Sequence, residues 1–290
     1  MLLAGLSAVL TFPPISGLWR FGRKTPNILP RRLPMLSLSA TSVANGVAAS
    51  SGVAGVPQAS NIKSYVLRTG RITDSQKKSY DTLSGRFIIP FAKVPVNFTQ
   101  VFGNDNSVIA EIGFGMGAAT AVIAGENPQK NYIGIEVHRP GIGKLLWEIE
   151  RLSLSNIRII EHDAVEVFLK MIPPLSLEGI HLFFPDPWPK KRHHKRRLVK
   201  RPFTCALASC LKPGGYLYMV TDWEDYAVQA LAELAATDGL VNSFDGFALP
   251  RDWRPRTKFE KKGLEKNHEV REIFFQKMPL YAGKGKARRL

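Results

Sequence analysis

A short stretch in the second half of the chain combines residue types that can do chemistry on a polyanion. It reads Pro-Asp-Pro-Trp-Pro-Lys-Lys-Arg-His-His-Lys-Arg over residues 185–196 and follows an apolar run, 180–184, typical of a buried strand. Three prolines fix φ and remove amide donors, so we expect an extended loop that presents Asp186 and Trp188. From residue 190 to 201 there are eight Lys or Arg, two His and no acid. A carboxylate and an aromatic ring beside such a basic surface indicate a site that acts on nucleic acid.

A second stretch, Glu111-Ile-Gly-Phe-Gly-Met-Gly117, has the composition of a ligand-binding turn. Glycines such as Gly113, Gly115 and Gly117 permit positive φ and let a ligand approach the backbone, with a helix N-terminus behind it. Read as Gly-x-Gly-x-x-Ala, the stretch also fits the dinucleotide fingerprint, and Glu136 follows where an acid would bind a ribose. On the glycines alone, NAD(P) and S-adenosylmethionine are both candidates.

Two acidic residues favour S-adenosylmethionine. Glu111 places a negative charge at the turn, which suits a cationic sulfonium ligand and would repel a pyrophosphate. Asp163 follows the third predicted strand, where a carboxylate can accept from an adenine amino group; a helix N-cap is an equally good interpretation of this residue. Together with Glu136, these acids end three successive strands and line one crevice, as ligand sites in open α/β sheets do.

Alternating strands and helices must position these residues. Apolar runs predict strands at 107–112, 131–136, 156–160, 180–184 and 216–221, with a late antiparallel edge strand near 272–277. Helices are predicted to begin near residues 117, 141, 163 and 203, and another spans 224–236. Thr73 and Gln76 have capping-box spacing and predict a short helix towards Leu83. The alternation is typical of βαβ units and a parallel sheet covered on both faces.

The charge of the chain favours an anionic partner only modestly, because an excess of charge usually serves solubility. The 290 residues have a formal net charge of +16 and a sequence pI of about 10.0. The first 60 residues carry five basic groups and no acid, so residues 61–290 hold 35 Lys or Arg against 24 Asp or Glu, a difference of +11. Such a field attracts phosphate backbones or anionic membranes. No apolar run reaches the roughly 18–20 residues of a membrane span. The two cysteines are too few for a disulfide framework, and they lack partners at metal-ligand spacing, so neither a disulfide framework nor a metal site is expected.

The chain divides into four regions by composition. Residues 1–60 form an acid-poor leader, 61–106 an N-terminal helical extension, 107–280 the main α/β domain and 281–290 a basic tail. For the leader we favour a disordered tail, or a start codon assigned too early with Met35 as one alternative, over an organelle transit peptide. We expect a cytoplasmic protein, or an organellar one if the leader is a transit peptide.

With these residues in view, the chain resembles the tRNA (guanine-N7-)-methyltransferases of the bacterial single-chain type. The basic stretch is highly specific to that family and the glycine-rich turn is not. Further matches are Leu211-Lys-Pro-Gly-Gly215, Thr221-Asp-Trp-Glu-Asp-Tyr226 and Arg254-Pro-Arg-Thr-Lys-Phe-Glu260. The resemblance covers about 76–277. It implies a Rossmann-like, doubly wound, mostly parallel seven-stranded sheet of a class I S-adenosylmethionine-dependent methyltransferase, with tRNA as partner and no obligatory second protein.

The resemblance also implies roles for residues at matching positions. It places the methyl donor among Glu111, Gly113, Gly115, Gly117, Glu136, Asp163 and Asp186, with Asp186 as the catalytic-site acid. Substrate contacts are implied for Lys190, Asp222, Thr257, Lys258, Phe259 and Glu260. The RNA-facing segment is implied to be Arg192, His193, His194, Lys195, Arg196 and Arg197. One departure is visible: after Gly263 the chain continues Leu-Glu-Lys-Asn-His268 where the family usually has Leu-Gly-His, which leaves the role of His268 open.

The implied reaction needs little from the side chains in the way of proton transfer. Guanine N7 carries a lone pair and no proton, so methylation there needs no general base. The enzyme must place N7 in line with the methyl group and stabilise the cation that passes to the purine. We expect Asp186, with Asp222, to accept from guanine N1–H or N2–H. Trp188 either stacks on an extruded base or packs the loop onto the core.

Two other classes of protein compete with this interpretation. An NAD-linked oxidoreductase on the same sheet would leave the basic stretch unexplained and lacks an evident proton donor. A catalytically silent RNA-binding scaffold would not need the acids and glycines of the donor site, and this chain has all of them.

Overall fold

The computed structural model of the chain describes residues 62–66, 70–255, 260 and 269–279. The predictions for the leader, the basic tail, Thr257, Lys258, Phe259 and His268 lie outside the described residues.

The described residues form one seven-stranded sheet in the order β3-β2-β1-β4-β5-β7-β6. Strands β1 to β5 pair in parallel, and β7 runs antiparallel between β5 and β6. This confirms the predicted fold class. The strands are β1 Val108–Ile112, β2 Asn131–Glu136, β3 Ile157–Glu161, β4 Leu177–Phe183, β5 Leu211–Thr221, β6 Leu240–Asn242 and β7 Arg271–Lys277.

Helices cover both faces of the sheet, which is why its central strands read as continuous apolar runs. The helices are α1 Asp74–Phe87, α2 Phe98–Phe102, α3 Ala118–Glu126, α4 Arg139–Arg151, α5 Ala164–Lys170, α6 Phe203–Cys210 and α7 Glu224–Ala235, with a 3-10 helix at Lys191–Arg196. One core contains alternate β1 residues, such as Ala110, and packs α5, α6 and α7 against the sheet. The other core contains Ile109 and packs α1, α3 and α4. None of the helices among the described residues is long and apolar enough to cross a membrane.

The sheet has its topological switch point between β1 and β4. From β1 the chain continues to β2 and β3 on one side, and β4 and β5 lie on the other. Helices therefore leave in opposite directions at this point and open a crevice at the carboxyl ends of the strands, where open α/β sheets bind ligands.

The predicted elements are present, with differences in where some strands begin and in the short elements. Strand β5 begins at Leu211 rather than near 216, because Leu211 already pairs with Leu177 of β4; the register then shifts, and the ladder resumes with Tyr216 opposite Gly179. The short elements α2 and β6 were not predicted. The prolines of the 185–189 segment keep it free of helix as expected, but the basic residues after them form the 3-10 helix.

Helix α1 begins with the predicted capping box. The Thr73 hydroxyl accepts from the Gln76 amide (3.3 Å), and the Gln76 side chain accepts from the Thr73 amide (2.8 Å). Thr73→Ala should lower the free energy of unfolding by about 1 kcal/mol, because one helix N-terminal amide loses its acceptor. Thr73→Ser, which keeps the hydroxyl, serves as the control in urea unfolding. Equal stability of the Ala and Ser variants would contradict a stabilising role for the cap.

Candidate active site at the switch point

The turn after β1 is held in a conformation that requires glycine. Gly113, Gly115 and Gly117 have φ values of 72°, 59° and 70°, in the left-handed region that side chains other than glycine rarely adopt. Gly117 directly precedes helix α3. A Cβ at Gly117 would also lie 2.6 Å from the Cβ of Leu145 in helix α4. The turn is therefore fixed both by its backbone and by a neighbouring helix.

Helix α4 approaches the same turn even more closely at Gly141. A Cβ built on Gly141 would lie 1.9 Å from the carbonyl oxygen of Gly115, a distance that no real contact allows. From the sequence, residue 141 was predicted only as the approximate start of a helix. The sequence does contain a signal for this contact. Glycine in a helix lowers its stability by about 1 kcal/mol relative to alanine, so two glycines at 141 and 143 indicate a close approach of backbones.

Glu136 at the end of β2 fixes the turn from the other side. One carboxylate oxygen accepts from the Gly115 amide (2.9 Å). The other accepts from the amides of Val137 (2.7 Å) and His138 (3.1 Å). The predicted ribose-binding acid is thus already part of the structure that shapes the glycine turn.

Glu111, the last acid before the turn, is buried within the sheet. Its side chain belongs to β1, and the residue is 4% exposed. Burial raises the pKa of the Glu111 carboxyl to about 7; the Thr120 hydroxyl acts against this, and the negative charge of Glu136 adds to it. Glu111 is therefore a carboxyl group that gains or loses its charge near neutral pH.

Asp163 at the end of β3 combines two roles. It is the N-cap of α5, since its carboxylate accepts from the Val165 amide (2.9 Å). Its other oxygen pairs with the ammonium group of Lys63 (3.1 Å). Beside Asp163 lies a cavity of about 460 Å³, whose lining includes His138, Arg139, Glu161, His162 and Asp163. The N-cap interpretation is thus correct, and the same residue also faces the cavity.

The segment that follows β4 is strained at two residues. Phe184 has φ 52° and Trp188 has φ 47°, both left-handed and neither glycine. Such strain persists only where the surroundings enforce it, and it is common at functional sites. Asp186 lies between these two residues and is exposed. The Trp188 indole donates to the Ser64 carbonyl oxygen (3.2 Å), which supports the loop-packing interpretation of this residue.

Arg197 holds this loop in place from within the protein. The residue is 2% exposed; its Nε donates to the Pro187 carbonyl oxygen (2.8 Å) and its Nη2 to Asp225 (2.5 Å). The guanidinium also lies over the ring of Tyr226, 5.0 Å from the centroid. The guanidinium is therefore engaged inside the protein, which separates Arg197 from the exposed residues of the segment that the family resemblance implied to face RNA.

The other basic residues of the 3-10 helix are accessible. Arg192 and Lys195 are exposed, as is the preceding Lys190. His193 packs edge-on against Trp188 (5.9 Å between ring centroids), whereas His194 lies 3.7 Å from Asp225. The two histidines thus face different neighbours, as their adjacency requires.

Arg196 connects the basic helix to the N-terminal extension. Its guanidinium lies over the ring of Trp188 (5.2 Å to the centroid) and donates to the Lys63 carbonyl oxygen (3.0 Å). Lys63 in turn pairs with Asp163. Sequence reasoning missed Lys63, because no pattern marks a residue that far along the chain from its partners.

Asp222 and Glu260, two predicted substrate contacts, differ in their surroundings. Asp222 follows β5, the strand next to β4, and is half-buried. Glu260 is 6% exposed and forms two hydrogen bonds with Arg254, of 2.7 and 3.1 Å. Arg254 also donates to Glu272 of β7 (3.0 Å). The Glu260 carboxylate is thus engaged by a buried arginine, which sequence reasoning did not foresee.

Comparison with known proteins identifies the family. A family model described as "Putative methyltransferase" matches residues 105–273. The tRNA (guanine-N(7)-)-methyltransferase of Paraburkholderia xenovorans is 50% identical over 216 residues, which is 74% of this chain and 83% of that protein. That of Nitrosospira multiformis is 48% identical over 216 residues, 74% of this chain and 94% of that protein. This chain belongs to the tRNA (guanine-N(7)-)-methyltransferase family.

Solved structures with similar folds are more distant. The crystal structure of the 16S rRNA methyltransferase KamB has a TM-score of 0.46 and 13% sequence identity, and the match covers 73% of this chain and 97% of that one.

In this methyltransferase, a substitution that adds a single methyl group, Gly141→Ala, tests the contact between α4 and the glycine turn. Gly141→Ala should lower the free energy of unfolding by about 1–3 kcal/mol, because the added Cβ must push against the backbone of Gly115. Gly125→Ala in α3, where the nearest atom would be 3.6 Å away, should instead leave stability unchanged or raise it by up to about 1 kcal/mol. Denaturant unfolding of both variants measures the difference; similar effects of the two substitutions would contradict the close contact.

Proposed function

We propose that this chain transfers a methyl group from S-adenosylmethionine to N7 of a guanine in the variable loop of tRNA. The observation that carries the proposal is the position of Asp186. It lies just beyond β4, the strand next to β1 and its glycine turn, and it precedes the accessible basic residues of the 3-10 helix in the chain. Its position allows one carboxylate to lie between a donor site and an RNA-binding surface.

The residues at the carboxyl ends of β1, β2 and β3 fit S-adenosylmethionine. The left-handed glycines leave the backbone of the turn open to a ligand, and Glu111 offers a negative charge to a cationic one. Asp163 faces a cavity of about 460 Å³, within the size range of small-molecule sites. When bound, S-adenosylmethionine supplies an electrophilic methyl group on a sulfonium. Glu111, Glu136 and Asp163 would hold it at this edge, and the same acids would disfavour a pyrophosphate.

The guanine is oriented by carboxylates on adjacent strands. Asp186 and Asp222 follow β4 and β5, which pair in parallel with Phe183 opposite Val220. Accepting from guanine N1–H and N2–H, they would direct N7 towards the donor site and stabilise the positive charge that develops on the purine. Adenine presents the opposite hydrogen-bonding pattern at N1, so the same acids would discriminate against it.

Accessible cations bind the RNA backbone in this proposal. Lys190, Arg192, Lys195 and Arg196 are the phosphate contacts, whereas buried Arg197 is not among them. Loss of each contact would weaken binding to all sequences and reduce the slope of log affinity against log salt by about 0.7–0.9. The bacterial relatives are matched over most of their length. We propose that this chain likewise needs no obligatory second protein for activity and that it acts in the cytoplasm.

Asp186→Asn tests the catalytic assignment. It keeps the shape of the side chain but removes the charge, so we expect turnover to fall at least about tenfold, the effect of losing about 1.4 kcal/mol of transition-state stabilisation. The measurement is methyl transfer from labelled S-adenosylmethionine to unmodified tRNA, followed by nucleoside analysis for 7-methylguanosine. Asp81→Asn, at an exposed position of α1, is the matched control. A fall in turnover of less than about tenfold for Asp186→Asn would contradict the electrostatic role of Asp186. A wild-type product other than 7-methylguanosine would overturn the proposed function.

Glu111 makes donor binding depend on pH. Its pKa is about 7 in the folded chain, so the carboxylate is charged above that pH and neutral below it. Because a cationic donor binds the charged form, affinity for S-adenosylmethionine should fall as the pH drops below 7, approaching about tenfold per pH unit. Calorimetric titrations from pH 5.5 to 8.5 measure this. In Glu111→Gln, the affinity for S-adenosylmethionine should no longer show the pH dependence that comes from residue 111. Any pH dependence that comes from titration of the ligand itself should be the same in both proteins. Parallel pH profiles of the two would contradict the assignment.

A further inference from the structure

A second cavity, of about 390 Å³, lies beside the basic helix and outside the proposed active site. Its lining is mainly apolar, with Val165 and Leu169 from α5 and Phe203 and Ala206 from α6. The size is that of a site for a small molecule or a single nucleotide rather than a packing defect.

The rim of this cavity is positively charged. Lys195, Arg196 and Lys200 all line it. Arg196 donates to the Lys63 carbonyl oxygen, and the Lys200 ammonium group donates to the Lys195 carbonyl oxygen. A carbonyl oxygen holds a cationic side chain in position but does not neutralise it, so the rim presents fixed positive charge above an apolar interior. This pairing is complementary to a nucleotide, which has an apolar face and an anionic phosphate.

Arg196 belongs to both this cavity and the active-site loop. Its guanidinium lies over the ring of Trp188, two residues from Asp186, while its side chain also lines the cavity. An RNA strand that delivers a guanine to Asp186 therefore has the cavity within reach of its neighbouring nucleotides.

We propose that this cavity receives an unpaired nucleotide of the tRNA substrate close to the target guanine, with the base in the apolar interior and its phosphate at the rim. Single-stranded regions are where proteins insert unstacked bases into pockets. The inference rests on the proposed function, since it takes tRNA as the substrate. It adds a second recognition site that would select for an unpaired nucleotide beside the guanine.

The chain carries a built-in reporter of this cavity. It has two cysteines; Cys205 lies on α6, is exposed and lines the cavity, whereas Cys210 is buried. Burial also raises the pKa of the Cys210 thiol to about 11, which keeps it protonated and unreactive near neutral pH. Alkylation under native conditions therefore occurs at Cys205.

The first experiment measures the rate of iodoacetamide alkylation at Cys205 in the full chain, read by mass spectrometry of the peptide. Saturating unmodified tRNA should slow the reaction at least about tenfold. A fully paired RNA duplex, which offers phosphates but no unpaired base, should slow it less than about twofold. An unchanged rate with tRNA that is demonstrably bound, or equal protection by the duplex, would overturn the proposal.

The second experiment fills the cavity. Cys205→Trp should raise KM for tRNA about tenfold, in line with the loss of one inserted base, while the Kd for S-adenosylmethionine stays the same. Val228→Trp, at an exposed position of α7 away from the cavity, is the control and should leave both constants unchanged. If Cys205→Trp methylates tRNA with the wild-type KM, the cavity proposal fails and the proposed function stands. If the wild-type chain makes no 7-methylguanosine, the proposed function itself fails.

Discussion

The close approach of helix α4 to the turn after β1 is the constraint on which the rest of the site depends. Gly141 brings the helix so near that any side chain there would meet the Gly115 carbonyl oxygen, and Gly117 packs against Leu145 in the same way. Helix α4 begins three residues after Glu136, the last residue of β2. The Glu136 carboxylate accepts from the amides of Gly115 in the turn and of His138 before the helix, so the end of β2 is tied to the same turn. A rigid backbone of this kind holds side chains ready for a ligand without the entropy cost of ordering them afterwards.

The other half of the site depends on a buried cation. Arg197 joins the Pro187 carbonyl to Asp225 of α7 and so fixes a loop whose backbone is strained at Phe184 and Trp188. The strained residues frame Asp186, and the strain is supported by contacts that lie outside the loop. Positive charge in this region thus has two uses. Arg197 is buried and shapes the loop, whereas Arg192 and Lys195 are exposed and give it an electrostatic surface.

The fold and the candidate site were predictable from sequence to different depths. The hydrophobic periodicity of the sequence and its turn residues were enough to predict β1 to β5 and most helices, because buried parallel strands leave continuous apolar runs. The three-residue strand β6 carries too little pattern to stand out, and the 3-10 helix follows prolines that argue against any helix. Among the candidate site residues, motif and charge predict Glu111 and Asp186. They cannot show that Arg197 points inward or that Arg254 engages Glu260, because burial of a charged side chain is decided by tertiary partners that its neighbours in sequence do not reveal.

The place of β7 in the sheet has a consequence for how the chain matures on the ribosome. This strand is the last in the described sequence, yet it lies between β5 and β6 and supplies Glu272 to Arg254 and Tyr218. Until it emerges, β5 is an open edge able to pair with other chains, and β6 has no neighbour to join. Synthesis from the N-terminus therefore delivers a Rossmann-like half that is complete through β5, while the ladders of β7 with β5 and β6 form only after residues 271–277 have emerged. The strand order therefore requires that the edge of β5 be protected from other chains until β7 pairs with it.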